Sequence, residues 1–380
     1  MSNPVQSTAI HPHLGQIAGV EAKVTAAVTS GRLVVIASDV DSTLAIGAGH
    51  TPQQIEEGQR HMKVLVRETT EAGILTIAVT GSHFESGTAT TPSVKDRVTN
   101  GTLPALATKG AWGPSVDAYV TDGGARLIHA DGLGDPKDHQ EYGATIERSK
   151  FPYDPMLARA TRFMFRVNGV RLSADEAALI REYDPLFKGD RIHFQPGTVA
   201  LQHELAGKIA FHFYAASAAQ RDAIEAEAKR AFDGAKIVCG EEKDATTAAR
   251  GMPHLAQDLA SGACPLKYNL DIVPFNKGTA VEVLMGWVSE AVATEALNQG
   301  RPRPEMLVVA CGDAGNDMPL MDRPEVTHVV MVGGASKELL RHADYLRQSG
   351  KVVYVETEPD RLGPASIRAA LAEWGLTRSA

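Results

Sequence analysis

Two stretches of this chain, "LVVIASDVDSTL" (33–44) and "MLVVACGDAGND" (306–317), restrict the possible folds more than any other feature. Each begins as a run of strand-forming apolar residues without polar alternation, so neither face of the strand can be left to water. Each then breaks abruptly into carboxylates. A third run, "ILTIAV" (74–79), is likewise apolar on both sides and ends in Thr80-Gly81-Ser82. Between the first and third lies "TPQQIEEGQRHMKVLVRETTEAG", which carries a helix start. Thr51 can cap, Pro52 suits the first helical position, and Gln54 completes a capping box. Strand, helix and strand, with the strands buried on both faces, describe a parallel sheet covered by helices.

The C-terminal part repeats the rhythm. A helix is expected from "KGTAVEVLMGWVSEAV", then strands at 306–310, 328–332 and 351–355. Helices are expected from about Ala335 and over "ASIRAALAEWG". Near the N-terminus, residues 14–30 are expected to form one helix after a loose leader. The middle has a different texture, with a polar Gly- and Pro-containing entry and alternating runs such as "KIAFHFYA" that suit an antiparallel sheet. The expected organisation is a Rossmann-like α/β core with helices on both faces. It comprises residues 1–130 and 269–380 and is interrupted by an inserted α+β cap over 131–268.

With 380 residues, two domains are the better expectation. The net charge of −8 argues against nucleic acid or an anionic membrane as a partner. No apolar run reaches the length of a membrane span, and the first residues lack a signal-peptide core. Three separated cysteines, Cys239, Cys264 and Cys311, favour a reducing, cytoplasmic setting, with Cys311 a small buried packer. The close pair His11 and His13 suggests a solvated tail. Oligomeric state is not legible.

The chemistry concentrates where strands end, which is where open α/β sheets bind ligands. Asp39 and Asp41 follow the first strand and Thr80 follows the second. Lys277 opens a helix, and Asp313, Asn316 and Asp317 follow a later strand. Four carboxylates in one mouth against one lysine call for a cation. Oxygen donors without clustered His or Cys suit a hard ion such as Mg²⁺. A hydroxyl, a lysine and a helix N-terminus beside them suit an anion, and together they describe phosphoryl transfer. Because alternate strand residues point the same way, Asp39 and Asp41 are expected to face one phosphorus together.

The ordered set resembles the haloacid dehalogenase-like phosphohydrolases: D-x-D-x-T at 39–43, the threonine at 80, the lysine at 277 and G-D-x-x-N-D at 312–317. "LDIVPFNKGTAVEVL" and "GDAGNDMPLM" are especially similar to the sucrose-phosphate phosphatase and Cof-like branch. The resemblance implies a small-molecule phosphate ester as substrate, with Asp39 as nucleophile and Asp41 as general acid, then base. It implies Mg²⁺ held by Asp39, the Asp41 carbonyl, Asp313 and Asp317. Thr80, Gly81 and Lys277 would grip the phosphoryl group, supported by Asn316. A sugar phosphate follows from the branch. Where that branch commonly has an arginine after Thr-Gly, this chain has Ser82, and where an asparagine is frequent it has Gly334.

Arg166, His193, Lys208 and His212 are candidates for the substrate side of the cap, with a solvated face as the competing reading. Alternative functions are a mutase or other phosphotransferase on the same scaffold, or a non-catalytic binding protein. The acidic cluster would be a needless cost in the latter. A dehalogenase needs neither the second aspartate nor a metal.

Overall fold

The computed structural model describes residues 13–47, 50–82, 84–85, 92–108, 115–130, 135–145, 209–215, 218–232, 235–241, 266–273, 275–358 and 360–377. It also describes the single positions 159, 163 and 174. The chain enters through a 3-10 turn at Leu14–Gln16 and a left-handed Gly19, with φ 83°, before α1 (Val20–Ser30) begins. The single helix expected over 14–30 is therefore broken, because the backbone at Gly19 leaves the helical region.

β1 (Arg32–Asp39) leads to α2 (Pro52–Glu71), where the Thr51–Gln54 capping box forms as expected. Next come β2 (Leu75–Val79), α3 (Val94–Thr99), β3 (Ala118–Thr121), β4 (Arg126–Ala130), β5 (Pro136–Asp138) and α4 (Gln140–Thr145). Within the middle section lie β6 (Ile209–Ala215), α5 (Ala218–Ala231), β7 (Lys236–Glu241) and β8 (Leu266–Val273). The last section holds α6 (Lys277–Asn298), β9 (Glu305–Gly312), β10 (His328–Met331), α7 (Lys337–Gln348), β11 (Val352–Val355) and α8 (Pro364–Glu373).

The main sheet runs β11-β10-β9-β1-β2-β3-β4-β5. From β11 to β3 every pairing is parallel, with Ile36 of β1 opposite Val309 of β9 on one side and Thr76 of β2 on the other. β4 and β5 then add antiparallel strands at the edge, an extension absent from the sequence expectation. Side-chain alternation along β1 divides the core into two layers. Leu33, Val35 and Ala37 pack with α1, α6 and α7. Ile36 packs on the other face with Met62, Leu65 and Val66 of α2 and Ile367, Ala370 and Leu371 of α8. Val35 on one face and Val309 on the other are both fully buried, so the sheet needs helices on both sides.

β5 joins the main sheet past residue 130, α4 follows it, and Tyr142 donates to the Gly124 carbonyl at 2.7 Å. β8 pairs with β6 and β7 through Val273, in a separate antiparallel sheet ordered β6-β8-β7.

His13 is not a solvated tail residue. Its ring lies 4.8 Å from that of Trp287, centroid to centroid, and its carbonyl meets Nε2 of His139 at 2.7 Å. His11 lies outside the described residues. His139 is fully buried, and its Nδ1 accepts the Tyr142 N–H at 3.2 Å at the start of α4. The imidazole is therefore neutral, with its proton on Nε2. Burial holds its pKa below the ordinary histidine value, and His129 acts in the same direction. A histidine with a lowered folded-state pKa stabilises the fold above its unfolded pKa, about 6.5, and that stability is lost as pH falls through the folded value. The melting temperature of the wild type should accordingly fall more steeply between pH 7.5 and 5.5 than that of His139→Asn. Parallel slopes in calorimetry would contradict this role.

Candidate active site

The ends of β1, β2 and β9 and the start of α6 meet at one edge of the sheet. Asp39 closes β1, and Lys277 is the first residue of α6, capped by the Asn276 side chain. Their side chains are 7% and 5% exposed, so both charges are out of water. Lys277 Nζ donates to Asp39 Oδ1 at 2.5 Å and to Asp317 Oδ1 at 2.6 Å. A lysine at a helix start opposes the macrodipole, so these two carboxylates are what hold it there. They also raise its pKa against the lowering effect of burial.

Asp317 is fixed by the turn that follows β9. Its Oδ2 accepts the N–H groups of Asp313 and Ala314 at 2.9 and 3.1 Å. This fold-back requires Gly312, because a Cβ there would stand 2.5 Å from Asp317 Oδ2. Gly278 is needed at the start of α6 for a related reason: its Cβ would lie 2.0 Å from the Pro319 carbonyl oxygen. Carboxylate oxygens of Asp39, Asp313 and Asp317 all lie within 4.8 Å of one another, and all three residues are buried.

Three carboxylates against one ammonium leave a deficit of positive charge. Asp39 is pushed up to about 7, by burial first and by Asp317 and Asp41, with Lys277 pulling the other way. A compact all-oxygen donor set with excess negative charge fits a hard divalent cation, and Mg²⁺ suits a site with few protein ligands.

Asp41 departs from expectation. β1 has ended by then, and the chain turns back on itself. Leu44 N–H donates to the Asp39 carbonyl at 3.1 Å, Ala45 N–H to the Val40 carbonyl at 2.8 Å, and Ser42 has φ 62°. Strand alternation therefore does not orient Asp41. The residue is half exposed and does not join the three clustered carboxylates. Instead Oδ1 accepts from Arg97 at 2.6 Å, while Oδ2 accepts from Ser82 Oγ at 3.0 Å and, at the limit of 3.5 Å, from Thr80 Oγ1.

Thr80 is buried at the end of β2, and its hydroxyl also accepts the Ser82 N–H at 3.0 Å. Gly81 follows it in the same loop, and Asn316 is half-buried in the turn that holds Asp317. The structure thus brings together Asp39, Lys277, Asp313 and Asp317, and sets Asp41 and Thr80 beside them in a second group. Arg97 was missed by sequence reasoning, since "VKDRVTN" shows no motif and sits in a short helix. Ser82 was noticed only as a departure. Arg166, His193 and Lys208 lie outside the described residues, and only the backbone of His212 is described, within β6. Cys311 is fully buried as expected, which raises its thiol pKa.

The middle section approaches this mouth. β7 runs beside the Gly315–Asp317 turn, and Arg221 of α5 pairs with Glu338 of α7 at 3.2 Å. Among the described residues no helix is long and apolar enough to cross a membrane.

Residues 244–363 match the family model of sucrose-6F-phosphate phosphohydrolase. That span holds Lys277 and the 312–317 turn, while Asp39 and Thr80 lie before it. No curated protein sequence matches the chain. Solved structures similar to it include a haloacid dehalogenase-like hydrolase from Bacillus subtilis, at 13% identity and TM-score 0.39, covering 90% of this chain and 96% of that one. The C-terminal domain of C. albicans trehalose-6-phosphate phosphatase is 11% identical with TM-score 0.41, covering 93% and 96%. These likenesses are too loose to assign anything to this chain. The four stations meet at one end of a parallel sheet, and two of them, Lys277 and the 312–317 turn, lie in the span that is similar to sucrose-6F-phosphate phosphohydrolase.

Removing one partner from a buried ion pair costs about 3–5 kcal/mol, because the charge left behind has no compensation. Lys277→Met should lower the urea midpoint of the metal-free protein accordingly, and saturating Mg²⁺ should recover part of the loss. An unchanged midpoint would contradict the pairing described here.

Proposed function

We propose that this protein is a Mg²⁺-dependent phosphatase that hydrolyses a sugar phosphate monoester through an aspartyl-phosphate on Asp39. The observation that carries this reading is the buried group of Asp39, Asp313 and Asp317 around one lysine, at the ligand edge of the sheet. A disaccharide or pseudo-disaccharide phosphate is the preferred substrate class. Its support is the match of residues 244–363 to sucrose-6F-phosphate phosphohydrolase.

An Asp39 oxygen attacks phosphorus, and the bond from phosphorus to the sugar oxygen breaks. Asp41 supplies the proton that the leaving alkoxide takes up. It then accepts a proton from the water that attacks the aspartyl-phosphate, which frees inorganic phosphate and restores Asp39. Lys277 and Thr80 hold phosphoryl oxygens, with the Gly81 backbone and Asn316 supporting them. Asp39, Asp313, Asp317 and the Asp41 carbonyl would hold Mg²⁺, which supplies positive charge to the phosphoryl group when bound. The middle section, approaching through β7 and α5, would cover the mouth and limit water to the attacking molecule.

The test is phosphate release from trehalose 6-phosphate, sucrose 6F-phosphate and glucose 6-phosphate with Mg²⁺, with and without chelator. At least one ester should be turned over, the chelator should abolish this, and Asp39→Asn should lower it by roughly three orders of magnitude or more. Activity that survives either treatment would sink the mechanism. Appearance of transferred rather than free phosphate would favour a phosphotransferase.

A further inference from the structure

Arg97 is almost fully buried, at 8% exposure, yet nothing in the hydrolysis scheme above uses it. Its guanidinium donates to Asp41 Oδ1 at 2.6 Å, across 56 residues of chain. The base from which it reaches is rigid. Ser93 caps α3 by accepting the Asp96 N–H at 3.1 Å, and the Lys95 N–H donates to the Phe84 carbonyl at 2.9 Å. The Arg97 carbonyl itself accepts the Thr102 and Leu103 N–H groups at 2.9 and 3.0 Å and the Thr102 hydroxyl at 3.1 Å. Val94, fully buried, packs α3 into the core layer that also contains Phe84 and Leu103.

Asp41 needs such support. It lies beyond the end of β1 in a turn, so no strand geometry aims it, and its side chain is 47% exposed. A carboxylate on a turn samples several rotamers unless something holds it. Arg97 on one oxygen and Ser82 on the other leave it a single orientation. A planar guanidinium suits that task, since its donors sit in a fixed fork.

Resting on the phosphatase reading, we propose that Arg97 is a positioning residue. Delivered from α3 and assisted by Ser82, it aims the Asp41 carboxyl group at the leaving oxygen. A purely structural reading, in which Arg97 only ties α3 to the turn after β1, makes a different prediction. A positioned proton donor matters for an alkoxide leaving group and little for p-nitrophenolate, which leaves without a proton. kcat/KM reports the steps through departure of the leaving group, so the two esters isolate this role.

The experiment compares kcat/KM for the sugar phosphate most active in the panel with that for p-nitrophenyl phosphate. Wild type, Arg97→Ala, Asp41→Asn and the double variant are measured. Arg97→Ala should lose at least about tenfold more on the sugar ester than on the aryl ester. In the Asp41→Asn background it should cost little further, because it acts through Asp41. Equal loss on both esters, or a full additional loss in the double variant, overturns the proposal. Should Arg97→Ala not fold, Ser82→Ala carries the same test with a smaller split, and an equal loss there overturns it as well. A wild type inactive on both esters instead sinks the phosphatase reading, and this proposal with it.

Discussion

The ammonium of Lys277 lies between the carboxylates of Asp39 and Asp317, which are 238 and 40 residues away along the chain. None of these groups can keep its charge at that depth alone, since an unpaired buried ion costs several kcal/mol. Together they link the end of β1, the start of α6 and the turn after β9. Much else at this end of the sheet follows from that meeting. Gly312 makes room for Asp317, Gly278 lets α6 approach the chain at Pro319, and two N–H groups steady the Asp317 carboxylate. The lysine offsets only part of the negative charge. Burial, with the remaining negative charge, keeps Asp39 well above the usual carboxylate range, and the cluster leaves a place that suits a divalent cation.

The division of labour proposed for the two aspartates is also a division of structural support. Asp39 belongs to a strand buried on both faces, so the sheet positions it. Asp41 belongs to a turn, and side chains from two other segments position it. The middle section meets the same region through β7 and the Arg221–Glu338 pair, both on the side of Asp317. Ser82 approaches from the loop after β2 and Arg97 from α3.

How far this was legible in the sequence depended on the range of the forces involved. The ends of β1 and β9 were legible because unbroken apolar runs have one stable use, and carboxylates after them have few. The helix start at Thr51 followed from local capping chemistry. The strands β3 and β4, antiparallel to each other, were not found: four and five residues, wholly buried, show no alternation to distinguish strand from loop. His13 looked like a tail because nothing near it in sequence reveals Trp287. What orients Asp41 was misjudged, because β1 ends at Asp39 and strand alternation does not reach it. Arg97 carried no signal, since its meaning comes from a partner on another element.

The account turns on Asp39 forming a covalent bond to phosphorus, and the most direct measurement is chemical. The enzyme, mixed with Mg²⁺ and a turned-over phosphate ester, is quenched in acid within the first turnover and digested. The resulting peptides are mapped by mass spectrometry. Phosphate carried by Asp39, in the peptide that also contains Asp41, is the result predicted. Turnover with no phosphopeptide under these conditions, or with phosphate on any other residue, would contradict it.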